Sequence, residues 1–301
     1  MKPDWRVWLR ATRPFAFPAS VVPVLVGAAM AAQWQGPVAW GLLPAVLAAA
    51  VLMHAATNLV NDHFDYVKGV DRDGTYGSSG LLVAGVLLPR QVLTAGVVLF
   101  GVVCGLGLWF VYLRGWPILL LGVVGLLGGW FYTAAPVAYK YAALGDPLVF
   151  VLMGPLMVIG SFFMLTGSYT PAVLLASLPV GCLVAAILNA NNLRDILHDR
   201  AAGIWPPSAL LGPRRGRIEY YLLVSGAYVL VVAGVVVSWH SPWGLVVFAS
   251  APLAWRAVRR LHRSRPGEAA DIATLDVQTA QLHLAFGLLW AAGLGLEAVL
   301  T

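Results

Sequence analysis

Apolar residues fall along this chain in long blocks, with the charged residues gathered in the gaps between them. The blocks run at about 15–33, 38–59, 91–113, 117–135, 147–166, 172–190, 219–238, 241–257 and 283–300. Each approaches the roughly 20 residues that a helix needs to cross a bilayer. The pattern therefore predicts an all-α integral membrane protein with about nine transmembrane helices. The block at 241–257 is short and carries Pro242 and Pro252, which makes it the weakest span of the set.

Charge tests this map independently, because cytoplasmic loops collect Lys and Arg. All but one of the 19 basic residues lie in the N-terminal segment (Lys2, Arg6, Arg10, Arg13) or in alternate loops. Those loops carry Lys68 to Arg90, Lys140, Arg194 to Arg217 and Arg256 to Arg265. Arg114 is the exception. The intervening loops at 33–37, 166–171 and 238–242 hold no Lys or Arg. An odd number of spans follows, with the N-terminus cytoplasmic and the C-terminus on the opposite side. A multi-pass plasma-membrane protein is expected, its charged loops opening toward the cytoplasm.

Composition narrows the function classes. A chain of 301 residues that is 60% hydrophobic and 11% charged has more apolar surface than a soluble core can hide. The formal net charge of +6 is read as topology and attraction to anionic membrane lipids, and no nucleic-acid module is present. No linker or low-complexity tract divides the chain, so residues 1–301 form one membrane-embedded domain. Cys104 and Cys182 lie inside predicted spans as small apolar residues, which implies neither a disulfide nor a zinc site. Arg13-Pro14 leads into an ordinary first span, so no removed signal is expected.

Two acidic segments stand out. If the second helix continues beyond its apolar block, His54, Asn58, Asn61 and Asp65 share one face, with Asp62 and Asp71 nearby. In the second segment Asn191, Asp195 and Asp199 recur every four residues, beside Asn192 and Arg194. Counting Asp73, six of the chain's 13 acids gather in these two places. One acid at a span end is as readily a headgroup contact, but ionisable groups concentrated near hydrocarbon point to function. Oxygen donors without thiolates or clustered histidines suit magnesium, which uses one or two carboxylates together with substrate phosphates. With Lys68, Lys140 and Arg194 in the same loops, the pattern describes a diphosphate site.

These segments resemble the UbiA superfamily of intramembrane prenyltransferases, and most closely its 1,4-dihydroxy-2-naphthoate branch in menaquinone biosynthesis. The likeness rests on NLVNDHFDYVKGVD at 58–71 and NNLRDILHDRAAG at 191–203. RPFAFPASVVPVLVG at 13–27, YTAAPVAYKYAALGDPLVF at 132–150, GPLMVIG at 154–160 and TAQLHLAFGLL at 279–289 extend it. The resemblance implies a UbiA-type helical bundle. It also implies a magnesium-dependent aromatic prenyltransferase that moves a polyprenyl group from its diphosphate to the naphthoate, releasing carbon dioxide and giving demethylmenaquinone. By that similarity Asn61, Asp65, Asp195 and Asp199, with Asp71 as a further candidate, would hold two magnesium ions. Lys140 and Arg194 would contact the diphosphate oxygens. His54, Asn58, Asp62, Lys68, Tyr139 and Asn192 are candidates for substrate contact; Asp62 and Asp71 are also candidates for a base. A packed polar side chain with one hydrogen bond accounts for His54 equally well, as interface anchoring does for Tyr132, Tyr139 and Tyr141.

Two positions depart from the family pattern. The third acid that many members place four residues after the Asp65 equivalent is Gly69 in this chain, and the acid comes at Asp71. After Gly203 the usual Thr-Leu pair gives way to IWPPSALLG, with Pro206-Pro207. Two rival readings stay open: a UbiA-type enzyme using another aromatic, such as hydroxybenzoate or homogentisate, and an ion-coupled transporter. Acids clustered at one membrane face, rather than at the midplane between broken helices, disfavour the transporter.

Overall fold

The computed structural model describes residues 4–74 and 77–300, and among these all regular structure is helical. Lys2, part of the basic N-terminal segment, lies outside them. In chain order the α-helices are α1 (Trp5–Ala11), α2 (Pro18–Ala32), α3 (Leu43–Val67), α4 (Pro89–Arg114), α5 (Trp116–Trp130) and α6 (Gly145–Val151). They continue with α7 (Met157–Thr166), α8 (Pro171–Ala201), α9 (Pro207–Leu211), α10 (Pro213–Val236), α11 (Ala251–Arg263) and α12 (Leu275–Leu300). Proline opens many of them, including α2, α4, α8 and α10, where its missing N–H costs no helical hydrogen bond.

Seven helical segments are long and apolar enough to cross a membrane: Pro14–Ala32, Trp40–Val67, Pro89–Arg114, Gly145–Thr166, Pro171–Ala201, Pro213–Val236 and Ala269–Val299. These correspond to seven of the nine apolar blocks. The block at 117–135 yields the shorter apolar α5, which stops at Trp130 and gives way to turns. The block at 241–257 starts as a 3-10 helix over Pro242–Ser250 and becomes the basic, amphipathic α11. Its two prolines sit at the start of each piece, where a helix accepts them. The span at Gly145–Thr166 is also irregular: a π-turn over Leu152–Leu156 joins α6 to α7 around Pro155, which cannot donate to the helical ladder.

The principal core forms around α8, against which α2, α6, α10 and α12 pack. Trp290, Phe286, Tyr220 and Phe162 are fully buried there. Small residues let backbones meet, as is common between membrane helices. A methyl group placed on Gly154 would come within 2.6 Å of the Gly181 Cα on α8. Arg114, the exception in the charge map, caps the C-terminus of α7: its Nε donates to the Met164 carbonyl at 2.8 Å and an Nη to Leu165 at 3.2 Å.

Two helices run well past their apolar blocks. Helix α3 continues to Val67 and α8 to Ala201, so Asn58 to Asp65 and Asn191 to Asp199 are helical. Their C-terminal ends converge with the start of α12, the turn at Arg13 and the non-helical segment after α5.

Candidate active site

The α3 residues His54, Asn58, Asn61 and Asp65 all line one cavity of about 680 Å³, as the four-three-four spacing predicts. Facing them, α8 contributes Asn191, Asn192, Asp195, His198 and Asp199. Away from these polar groups the wall is apolar, with Val24, Leu108, Phe110, Leu126, Met157 and Met164 among its residues. A polar end joined to a long apolar chamber suits an amphiphile with a charged head and a hydrocarbon tail.

Asp65 is buried and accepts three hydrogen bonds: from Asn61 Nδ2 at 2.7 Å, Lys140 Nζ at 2.6 Å and the Tyr141 hydroxyl at 2.5 Å. Lys140 and Tyr141 come from a 3-10 turn, Tyr139–Ala142, flanked by Ala138 and Ala143 in left-handed conformations. Burial works against the charge on Lys140, but Asp65 outweighs it and holds the ammonium above its ordinary pKa. Burial, reinforced by Asp65, raises the Tyr141 hydroxyl as well. Tyr132 is pushed up to about 12, first by burial. Lys140 also lies 5.7 Å from the Tyr132 ring centre, and Lys68 lies 4.0 Å from that of Tyr141.

The departure at Gly69 has a structural reason. Gly69 takes φ +70° at the end of α3, and the Asp71 N–H turns back onto the Asp65 carbonyl at 3.2 Å. An acid at 69 would be strained there, whereas Asp71 is carried round to the cavity wall. Burial and the neighbouring Asp65 raise the Asp71 carboxyl to about 6. Pro206-Pro207 similarly opens α9, whose Ala209 carbonyl accepts two hydrogen bonds from Arg200, at 3.0 and 2.6 Å.

On the α8 side, Arg194 donates to Asp195 from Nε at 2.9 Å and from an Nη at 2.8 Å. It also donates to Asn191 Oδ1 at 2.9 Å and to Asp276 Oδ2 at 2.7 Å. Asn192 Nδ2 donates to Asp146 Oδ1 at 2.7 Å. The buried Asp199 carboxylate receives no hydrogen bond from the described residues.

Ten of the sequence-derived candidates line the cavity: His54, Asn58, Asn61, Asp65, Asp71, Tyr139, Lys140, Asn192, Asp195 and Asp199. Asp62, Lys68 and Arg194 do not. Asp62 is buried away from it, ion-paired with Arg13 and accepting the Ser79 N–H at 3.2 Å. Lys68 is exposed and reaches the Thr133 carbonyl at 3.4 Å. His54 Nδ1 is 2.7 Å from Ser20 Oγ, and Asn58 Nδ2 donates to the Thr12 carbonyl at 2.9 Å. Tyr139 donates to the Gly128 carbonyl at 2.7 Å. Two charged cavity residues escaped sequence reasoning, Arg13 and Asp276. Arg13 is marked by being a cation directly before a span; no motif marks Asp276.

The donor set fits a hard divalent ion. Asn61, Asp65, Asp195 and Asp199 present oxygens, and Asp199 is a buried carboxylate with no side-chain hydrogen bond among the described residues. Among those residues no three His, Cys, Asp or Glu side chains gather tightly enough to hold a metal unaided. Magnesium bound through one or two carboxylates and completed by phosphate oxygens needs no such cage.

Comparison with known proteins gives the same direction. The model of the UbiA prenyltransferase family matches residues 20–294. The 1,4-dihydroxy-2-naphthoate octaprenyltransferase of Bacillus subtilis is 31% identical over 283 residues, which is 94% of this chain and 90% of the relative. Its namesake from Mycobacterium tuberculosis is 32% identical over 294 residues, 96% of this chain and 97% of the relative. A UbiA homolog from Archaeoglobus fulgidus, solved bound to DMAPP and Mg2+, shares the fold with a TM-score of 0.59 at 17% identity. That likeness covers 95% of this chain and 99% of that one.

Proposed function

The chain belongs to the UbiA prenyltransferase family, and from that premise we propose that it transfers a polyprenyl group from a polyprenyl diphosphate to 1,4-dihydroxy-2-naphthoate. The observation that carries this reading is the single cavity: both acidic motifs at its polar end, hydrocarbon lining along the rest. The near full-length similarity to two naphthoate enzymes supports the choice of acceptor.

Asn61, Asp65, Asp195 and Asp199, with Asp71 beside them, would hold magnesium. When bound, the ions would neutralise the diphosphate and favour its departure. Lys140 is positioned to share its hydrogen bond between Asp65 and a diphosphate oxygen, stabilising negative charge as it develops on the leaving group. The allylic C–O bond breaks and its electron pair leaves with diphosphate. The ring carbon bearing the carboxylate then attacks the allylic carbon. Carbon dioxide departs, and its bonding electrons restore the aromatic ring, giving demethylmenaquinol, the reduced form of demethylmenaquinone. Since carbon dioxide leaves in place of a proton, this route asks no side chain to act as base at that carbon. The apolar walls exclude water from the cation, and Tyr132 and Tyr139 are among the residues that line the chamber.

On the same reading the chain makes nine crossings of the plasma membrane, with the N-terminus and the polar end of the cavity on the cytoplasmic side. Helix α5 and the block at 241–257 would complete the count beyond the seven longer spans. The test is incubation of purified protein with magnesium, 1,4-dihydroxy-2-naphthoate and prenyl diphosphates of several lengths, with products read by mass spectrometry. A prenylated naphthoquinone is expected. Its absence, with product formed instead from hydroxybenzoate or homogentisate, would overturn the acceptor.

A further inference from the structure

We propose, building on that reading of the site, that Asp276 is a positioning residue: from the start of α12 it holds the Arg194 guanidinium, and through it the Asp195 carboxylate at the cavity wall. Adjacent residues on a helix point about 100° apart, so a two-point contact between Arg194 and Asp195 requires the arginine to fold back along α8. An unanchored arginine loses rotamer entropy in doing so. Three side-chain acceptors among the described residues hold it in place. Asn191 and Asp195 belong to α8 itself, at 2.9 Å and at 2.9 and 2.8 Å. Asp276, at 2.7 Å, comes from another helix and ties the arrangement to the core. The Arg194 side chain is only 2% exposed, so its charge depends on these carboxylates.

The geometry also has an electrostatic consequence. One guanidinium is shared between two carboxylates, so the Arg194–Asp195–Asp276 cluster has one more formal negative charge than positive. That net charge attracts a cation to the cavity. The carboxylate assigned to the metal is therefore supported by a hydrogen-bonded partner, itself held in turn, an arrangement that typically changes metal affinity about 10–100-fold when broken.

The test measures magnesium-dependent binding of an unreactive prenyl thiodiphosphate by calorimetry in detergent, for the wild type, D276A, D276N, R194A and the double variant R194A/D276A. Thermal unfolding of each reports folding. D276A is expected to weaken binding about tenfold. D276N, which keeps an acceptor oxygen for the Arg194 Nη, should lie closer to wild type than D276A. R194A/D276A should bind no more weakly than R194A alone. Wild-type affinity in folded D276A, equal losses in D276A and D276N, or additive losses in the double variant would each overturn the proposal. If D276A does not fold, D276N and the comparison of R194A with R194A/D276A decide. A wild-type protein that binds no prenyl thiodiphosphate with magnesium would refute the proposed function, an outcome distinguishable from failure of the Asp276 role.

Discussion

Asp65 shows how much one carboxylate organises: it accepts hydrogen bonds from Asn61, Lys140 and Tyr141. Replacing it with Ala removes a proposed metal donor and leaves the half-buried Lys140 ammonium without its carboxylate partner. Asp65→Ala and Asp195→Ala are each expected to lower magnesium-dependent prenyl transfer at least about 100-fold, the scale set by losing a charge-stabilising group. Product formation by purified protein checks this, and full activity in both variants would refute the site assignment. Tyr141→Phe is a finer probe, removing one charge-assisted hydrogen bond and leaving the ring under Lys68. It should reduce kcat/KM about tenfold, equivalent to about 1.4 kcal/mol. An unchanged kcat/KM would mean that the hydroxyl does not orient Asp65 during the reaction.

At the scale of elements, the site depends on helices that outlast their apolar blocks. Helix α3 reaches Val67 and α8 reaches Ala201, carrying the motifs beyond their apolar blocks on continuous helical backbone. Helix α8 is held by close contact with the irregular span around Leu152–Leu156, where Gly154 meets Gly181. Gly154→Leu cannot be accommodated without separating the two backbones and should cost about 1–3 kcal/mol. A lowered melting temperature in detergent is expected, and an unchanged one would show that the helices separate freely. The same variant should also lose activity, since α8 carries Asp195 and Asp199.

For the whole molecule, the alternation of basic and uncharged loops predicts sidedness. Tyr169 lies in the loop before α8 and Arg214 near the start of α10, and both are exposed. With Cys104 and Cys182 replaced by Ala, Tyr169→Cys should react with a membrane-impermeant thiol reagent in intact cells. Arg214→Cys should react only after permeabilisation. Labelling of both from the same side would contradict the alternating topology.

Much of the fold and part of the candidate site are legible in residue order. Hydrophobic run length is a local property, so nine apolar blocks, seven of which match long apolar helices, and both acidic helical faces follow directly from residue order. The shortened α5 and the break at Pro242–Ser250 were harder to read, because hydropathy measures apolarity and not helical continuity. Likewise, spacing groups His54, Asn58, Asn61 and Asp65 on one face, but it does not show that Asp62 pairs with Arg13, that Lys68 reaches Thr133 or that Arg194 stands behind Asp195. Partner choice separates these residues. Lys140 reaches Asp65 across 75 positions of sequence, and Arg194 reaches Asp276 across 82. The sequence by itself determined a helical membrane protein with two helical faces rich in oxygen donors, since side-chain type and helical period suffice for that. Only the tertiary structure decided which cation holds which acid and where the cavity lies, because short hydrogen bonds between distant residues depend on how the helices pack.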